Sequence, residues 1–192
     1  MKLEIKKIGS LHKRWLANIT LVILAVGLVC VAAITASYAF YCYNNMSSDL
    51  HNRAKSATEF FKDYREQDYE SFYESCSAYA QTVEEGARLE RQFIDQWGQI
   101  VASSYGSWYA SSPRTPEIAQ AISTRSIQPF VGRDPDTGER IMAVSSPMIY
   151  STGEVIGVLR FVTSTSAMDG QIFVVALVSL GVLLGALSIV LL

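Results

Sequence analysis

The sequence predicts an α+β domain held between two transmembrane helices. Three observations carry this reading: two long apolar runs without one ionisable residue, helical periodicity directly after the first run, and strand-and-turn patterning before the second. Trp15 to Tyr41 and Gln171 to Leu192 contain no Asp, Glu, Lys, Arg or His, although 18% of the 192 residues are charged. These runs of 27 and 22 residues exceed the roughly 20 residues of helix that cross a hydrocarbon core of about 30 Å. A 14-residue head and a middle of 129 residues, Cys42 to Gly170, remain. The middle is the size of one domain. An ordinary cytosolic enzyme is excluded.

The elements follow in order. Residues 1–14 form a basic cytoplasmic head, 15–41 transmembrane helix 1, 42–85 extracytoplasmic helices, 86–168 a sheet domain and 171–192 transmembrane helix 2. Trp15 and the tyrosines 38, 41 and 43 flank the first span, where amphipathic aromatics favour the membrane surfaces. A cleaved signal peptide fits poorly, because the apolar run is longer than the usual 7–15 residues. The head carries Lys2, Lys6, Lys7, Lys13 and Arg14 against Glu4, so it stays inside and residues 42–170 lie outside, in a two-pass plasma-membrane topology. That exported part holds 11 Lys and Arg against 17 Asp and Glu, a net charge of −6 that disfavours nucleic acid as a partner. Leu191-Leu192 carries no charged anchor, and the expected continuation is a cytoplasmic portion beyond it.

Leu50, Ala54, Ala57, Phe61 and Tyr64 share one helix face, which either covers a sheet or also forms a parallel dimer seam. Tyr69, Phe72, Cys76, Tyr79 and Val83 form a second, offset stripe, so a break is expected near Arg65 to Asp68. Strands are expected at 88–94 and 99–104 around the turn Asp95-Gln96-Trp97-Gly98, then a short helix at 116–122 with Thr115 as N-cap and Pro116 at its first position. Three more strands, at 128–133, 139–150 and 155–163, are separated by Asp134-Pro135-Asp136-Thr137-Gly138 and Ser151-Thr152-Gly153-Glu154. The last is apolar on both faces and is expected at the sheet's centre. The result is an antiparallel sheet of about five strands behind a long N-terminal helix.

A set of local runs carries a family resemblance. Leu89-Glu90-Arg91-Gln92-Phe93-Ile94-Asp95 with Gly98 and Ser103-Ser104, Pro116-Glu117-Ile118, Gly132-Arg133-Asp134-Pro135 with Thr137-Gly138-Glu139-Arg140, and Gly153-Glu154-Val155-Ile156-Gly157-Val158-Leu159-Arg160-Phe161-Val162-Thr163-Ser164 are in sequence here. Together they resemble the extracytoplasmic PAS-like (single-Cache) domain of bacterial sensor histidine kinases, clostridial ones especially. The resemblance implies an N-terminal sensor region of a two-component system. In that family the second transmembrane helix feeds a HAMP linker, a dimerising phosphoacceptor helix and an ATP-binding domain, none of which is in this sequence. Chemoreceptors and cyclic-di-GMP synthases use related domains.

Other motifs fail. Asp134-x-Asp136-x-Gly138 has its Gly one place early for a calcium loop, with Ser145 where the bidentate Glu belongs. His12 and His51 cannot build a catalytic triad over the sheet, so the chain as given is expected to be no enzyme and to hold no cofactor or metal. Cys30, Cys42 and Cys76 are read as small buried side chains, with an intersubunit bridge through Cys42 or Cys76 as the alternative. Arg160 lies mid-strand among apolar residues, so it needs a counter-ion or lines a cavity. Arg140, Tyr150, Trp108 and Tyr109 are further ligand-contact candidates, while Gly181 and Gly185 form a G-x-x-x-G pair for helix packing.

The expected function is signal sensing and transmembrane signalling for a two-component sensor histidine kinase, as a homodimer. The alternatives are the same module in a chemoreceptor or cyclic-di-GMP synthase, or a stand-alone membrane protein with an exported partner-binding domain. Expected partners are the lipid bilayer, an extracytoplasmic small-molecule or protein signal, and, in the intact protein, cytoplasmic kinase domains and a response regulator.

Overall fold

The computed structural model describes residues 2–64, 68–82, 89–105 and 112–191, with side chains described between Trp15 and Ile189 of those stretches. The element order is α1 (Lys2–Phe60), α2 (Tyr69–Gln81), β1 (Leu89–Asp95), β2 (Ile100–Ser103), α3 (Pro116–Thr124), β3 (Gln128–Arg133), β4 (Arg140–Ile149), β5 (Val155–Ser164) and α4 (Ser166–Leu191). Two compact units result: Met1–Cys42 with Met168–Leu192, and Tyr43–Ala167.

In the first unit, two helices are long and apolar enough to cross a membrane. Leu21, Val29, Val182 and Ile189 are each at least 67% exposed, as side chains facing lipid would be. Gly27 lets the two helices approach: a Cβ there would stand 2.2 Å from Leu183 Cδ1. Around Gly181 and Gly185 an added Cβ meets nothing within 4 Å. Leu183 sits two residues, about 200° of helix, from each, so the G-x-x-x-G face points away from the contact at Gly27.

The second unit is built on a five-stranded antiparallel sheet in the order β2-β1-β5-β4-β3. The strand that is apolar on both faces, β5, is central as its sequence requires. Side chains alternate between faces with period two. Phe93, Met142, Val144, Leu159 and Phe161 turn to one face, where Leu50, Ala54, Ala57 and Phe61 of the α1 stripe and Phe72, Cys76 and Ala80 of α2 cover them. Burial of Phe61, Phe72, Phe93 and Phe161, none more than 2% exposed, stabilises the unit by roughly 1.5–3 kcal/mol each. Cys76 is wholly buried in this layer. Its burial pushes the thiol up to about 12.

Two alternatives left open by the sequence are decided here. The α1 stripe is consumed by the sheet, so it cannot also be a dimer seam. Cys76, enclosed by its own domain, is out of reach of a bridge to another subunit; of the other two, also read as small buried side chains, Cys30 is exposed and Cys42 only partly buried. Periodicity places the break near Arg65 to Asp68; α1 ends earlier, at Phe60, residues 65–67 lie outside the described residues, and Asp68 caps α2 by accepting from Ser71 N at 3.0 Å. Val83 of the second stripe lies outside the described residues, and Tyr69 is 44% exposed.

On the opposite face Ile94, Ile100 and Val158 pack against Ile118 and Ala121 of α3. Gly157 of β5 permits a tight crossing, since a Cβ there would be 2.4 Å from the Ile94 carbonyl oxygen. Beyond α3, this face carries the polar residues that follow.

Candidate functional site

The site starts from one buried cation. Arg160, 2% exposed, stands on β5 opposite Gln92 of β1 and Ser145 of β4. Its Nε donates to Glu117 Oε1 at 2.9 Å, one terminal nitrogen to Gln92 Oε1 at 3.0 Å and the other to Thr115 Oγ1 at 3.1 Å. Glu117 is fully buried. Because Pro116 starts α3, Glu117 falls in its first turn and the helix delivers its carboxylate onto the sheet face. Thr115 occupies the N-cap position without making a cap hydrogen bond. The N-cap placement is as expected, but the hydroxyl donates to Glu117 Oε1 at 2.8 Å instead of accepting from the helix's first turn.

The network continues along β1. Gln92 Nε2 donates to Glu90 Oε1 at 2.8 Å, and Ser103 Oγ donates to the same oxygen at 2.7 Å. A polar chain thus crosses the sheet from Glu90 through Gln92 and Arg160 to Glu117. Two buried polar atoms beside Arg160, Glu117 Oε2 and Ser145 Oγ, have no hydrogen-bond partner among the described residues.

Arg160 and Gln92 form part of the wall of a cleft of about 400 Å³, a volume typical of small-molecule sites. Ile100, Ile141 and Val162 supply apolar wall; Glu90, Asp134, Asp136 and Glu139 supply carboxylates. The last three come from the β3–β4 connection. Asp134 N donates to Glu139 O and Gly138 N to Asp134 O, both at 2.8 Å, and Gly138 takes φ 71°. The failed calcium motif is therefore a hairpin turn, and it forms one side of the cleft. Arg114 Nε holds Asp136 at 2.9 Å, and Ser164 donates to Glu139.

Two of the other sequence candidates, Tyr150 and Arg140, are placed away from Arg160. Tyr150 lies on the helix-covered face, its ring 5.7 Å from Tyr69 and 5.8 Å from Phe72. Arg140 is an exposed residue at the start of β4, paired in register with Arg133. Trp108 and Tyr109 lie outside the described residues. Sequence reasoning missed Glu117, Glu90 and Gln92. A signal for the last two existed: they alternate on β1 as same-face positions, and polar residues on a face that must meet a central strand call for a buried partner.

No protein-family model matches the chain, and no curated protein matches it in sequence. Solved structures do match in shape. The sensor domain of the V. cholerae histidine kinase DctB aligns with a TM-score of 0.52 at 17% identity, over 73% of this chain and 55% of that one. The periplasmic sensory domain of the Campylobacter jejuni chemoreceptor Tlp1 aligns with a TM-score of 0.51 at 12% identity, over 73% of this chain and 61% of that one. The likeness is one of fold: a PAS-like α+β domain with a five-stranded antiparallel sheet. The aligned regions span little more than half the length of these two domains.

Proposed function

We propose that the chain is the signal-sensing module of a bacterial membrane receptor, with the cleft beside Arg160 as its signal site. The observation that carries this is a 400 Å³ cleft built over a buried polar network, in a domain whose first helix is continuous with an apolar span. The shared shape with a kinase sensor domain and a chemoreceptor sensory domain supports the reading. The domain lies outside the cell and the basic head inside, as the charge distribution favours. Two copies act together, and a signal shifts the second membrane helix relative to the first. We assign the output to a histidine kinase of a two-component system, on the sequence resemblance. A chemoreceptor or cyclic-di-GMP synthase output is the second reading, favoured by the likeness to the chemoreceptor domain.

The test is a chimera in which residues 1–192 replace the sensor and membrane part of a histidine kinase with a reporter-linked output. A saturable change in reporter on adding fractions of spent medium or a metabolite library supports the proposal. Constant output across all of them, from a chimera that is inserted and autophosphorylates, overturns it.

A further inference from the structure

The charge balance of the cleft is lopsided. Among the described residues its wall carries four carboxylates, Glu90, Asp134, Asp136 and Glu139, against one guanidinium, Arg160. Glu117 already offsets that guanidinium at 2.9 Å. Asp136 has Arg114 as an ion-pair partner, whereas Glu90, Asp134 and Glu139 form no ion pair among the described residues. Instead they accept from neutral donors: Gln92 and Ser103, the Asp136 backbone N–H, and Ser164, respectively. The local field inside the cleft is negative, and low-dielectric walls strengthen it.

Two further features narrow what could occupy it. Among the described residues no three His, Cys, Asp or Glu side chains converge as metal ligands do. The negative charge is spread along the rim around an apolar wall of Ile100, Ile141 and Val162. A ligand with an aliphatic stem and more than one ammonium group satisfies all of this: the stem lies on the apolar wall and each ammonium brings three N–H donors. An anion would meet three uncompensated carboxylates.

Resting on the proposed sensor role, we infer that the cleft selects an organic polycation, an alkyl diamine or longer polyamine. This reverses the anion contact that Arg160 alone suggests, because Glu117 and not a ligand is its counter-ion.

The experiment is calorimetric titration of the full chain in lipid nanodiscs with 1,4-diaminobutane, 1,5-diaminopentane, n-butylamine, succinate and calcium chloride. The diamines are expected to bind, more tightly than n-butylamine, with affinity falling as salt is raised because the attraction is screened over about 10 Å at 0.1 M. Asp134→Asn with Glu139→Gln, both on the β3–β4 connection, should weaken diamine binding about tenfold, two charges being removed at close range. Glu154→Gln, on the other hairpin, should leave it unchanged. Binding of succinate or calcium without the diamines overturns the polycation inference while leaving the cleft as the signal site. So does diamine binding indifferent to the double substitution, and so does the absence of diamine binding by a chain whose chimera still responds to medium. A chimera deaf to every fraction defeats the sensor role itself, which separates the two failures.

Discussion

Replacing Arg160 by Gln removes one member of a buried pair and leaves the Glu117 carboxylate in a fully enclosed position. The pair spans 2.9 Å, with side chains 2% and 0% exposed. Breaking such a pair from one side costs roughly 3–5 kcal/mol, because the surviving charge keeps its desolvation penalty without its partner. Against a total stability of about 5–15 kcal/mol, that is a large fraction. For a unit running from Tyr43 to Ala167, the expected fall in melting temperature is about 10–20 °C. The assay is thermal unfolding of the detergent-solubilised chain by circular dichroism, with hydrogen exchange at β5 amides to assign the transition. Glu117→Met with Arg160→Met should then be milder than the two single effects added, by at least about 1 kcal/mol, since both charges leave together. It will not restore wild type, because Gln92 Oε1 and the Thr115 hydroxyl lose their donor. A melt of Arg160→Gln within a degree or two of wild type, or singles that simply add, would refute the structural account of this pair.

Gly157→Ala places a methyl 2.4 Å from the Ile94 carbonyl oxygen and 2.9 Å from the Phe93 ring; a loss of roughly 1–3 kcal/mol is expected by denaturant unfolding, as for other overpacked cores. Cys76 should resist a membrane-impermeant thiol reagent on intact protoplasts and react once the domain is unfolded from outside; reaction only after lysis would contradict the topology. Its thiol, held near 12 in the folded unit against a reference value of 9.0, keeps a proton that the unfolded chain releases. Its contribution to stability is therefore complete below about pH 9 and is lost as pH rises toward 12; Cys76→Ser should show a shallower alkaline decline. Gly181→Leu with Gly185→Leu should leave disulfide formation between Gly27→Cys and Leu183→Cys within one chain intact while reducing cross-links between chains; a loss of the first would show that the pair packs against α1 after all.

Much of the fold was legible because each of its elements has a local signal. Two uncharged runs, each long enough to cross a bilayer, marked the two long apolar helices, and the doubly apolar strand Val155 to Thr163 is central. Gly98, Gly138 and Gly153, at φ 85°, 71° and 84°, mark the three hairpin turns that the sequence also marked. The site was less legible, because it depends on which distant residues meet. Arg160 announced a need for a counter-ion, but Glu117 lies 43 positions away on another element. Nothing local distinguishes it from a routine first-turn acid of a helix. Tyr150 shares the parity of Met142, Val144 and Met148, so period-two alternation sends it to the helix-covered face and away from Arg160. The α1 stripe had two physically sound uses, and only the position of the sheet decides between them.

The central claim, that a signal is read in the cleft and passed to the membrane, is tested most directly by closing the cleft in the responsive chimera. Ser112, an exposed residue of the cleft wall, can carry a tryptophan without entering the core. With Ser112→Trp the account predicts normal insertion, an unchanged melt and unchanged basal output, and no reporter response at signal concentrations that saturate the wild type. A dose response identical to wild type would contradict it.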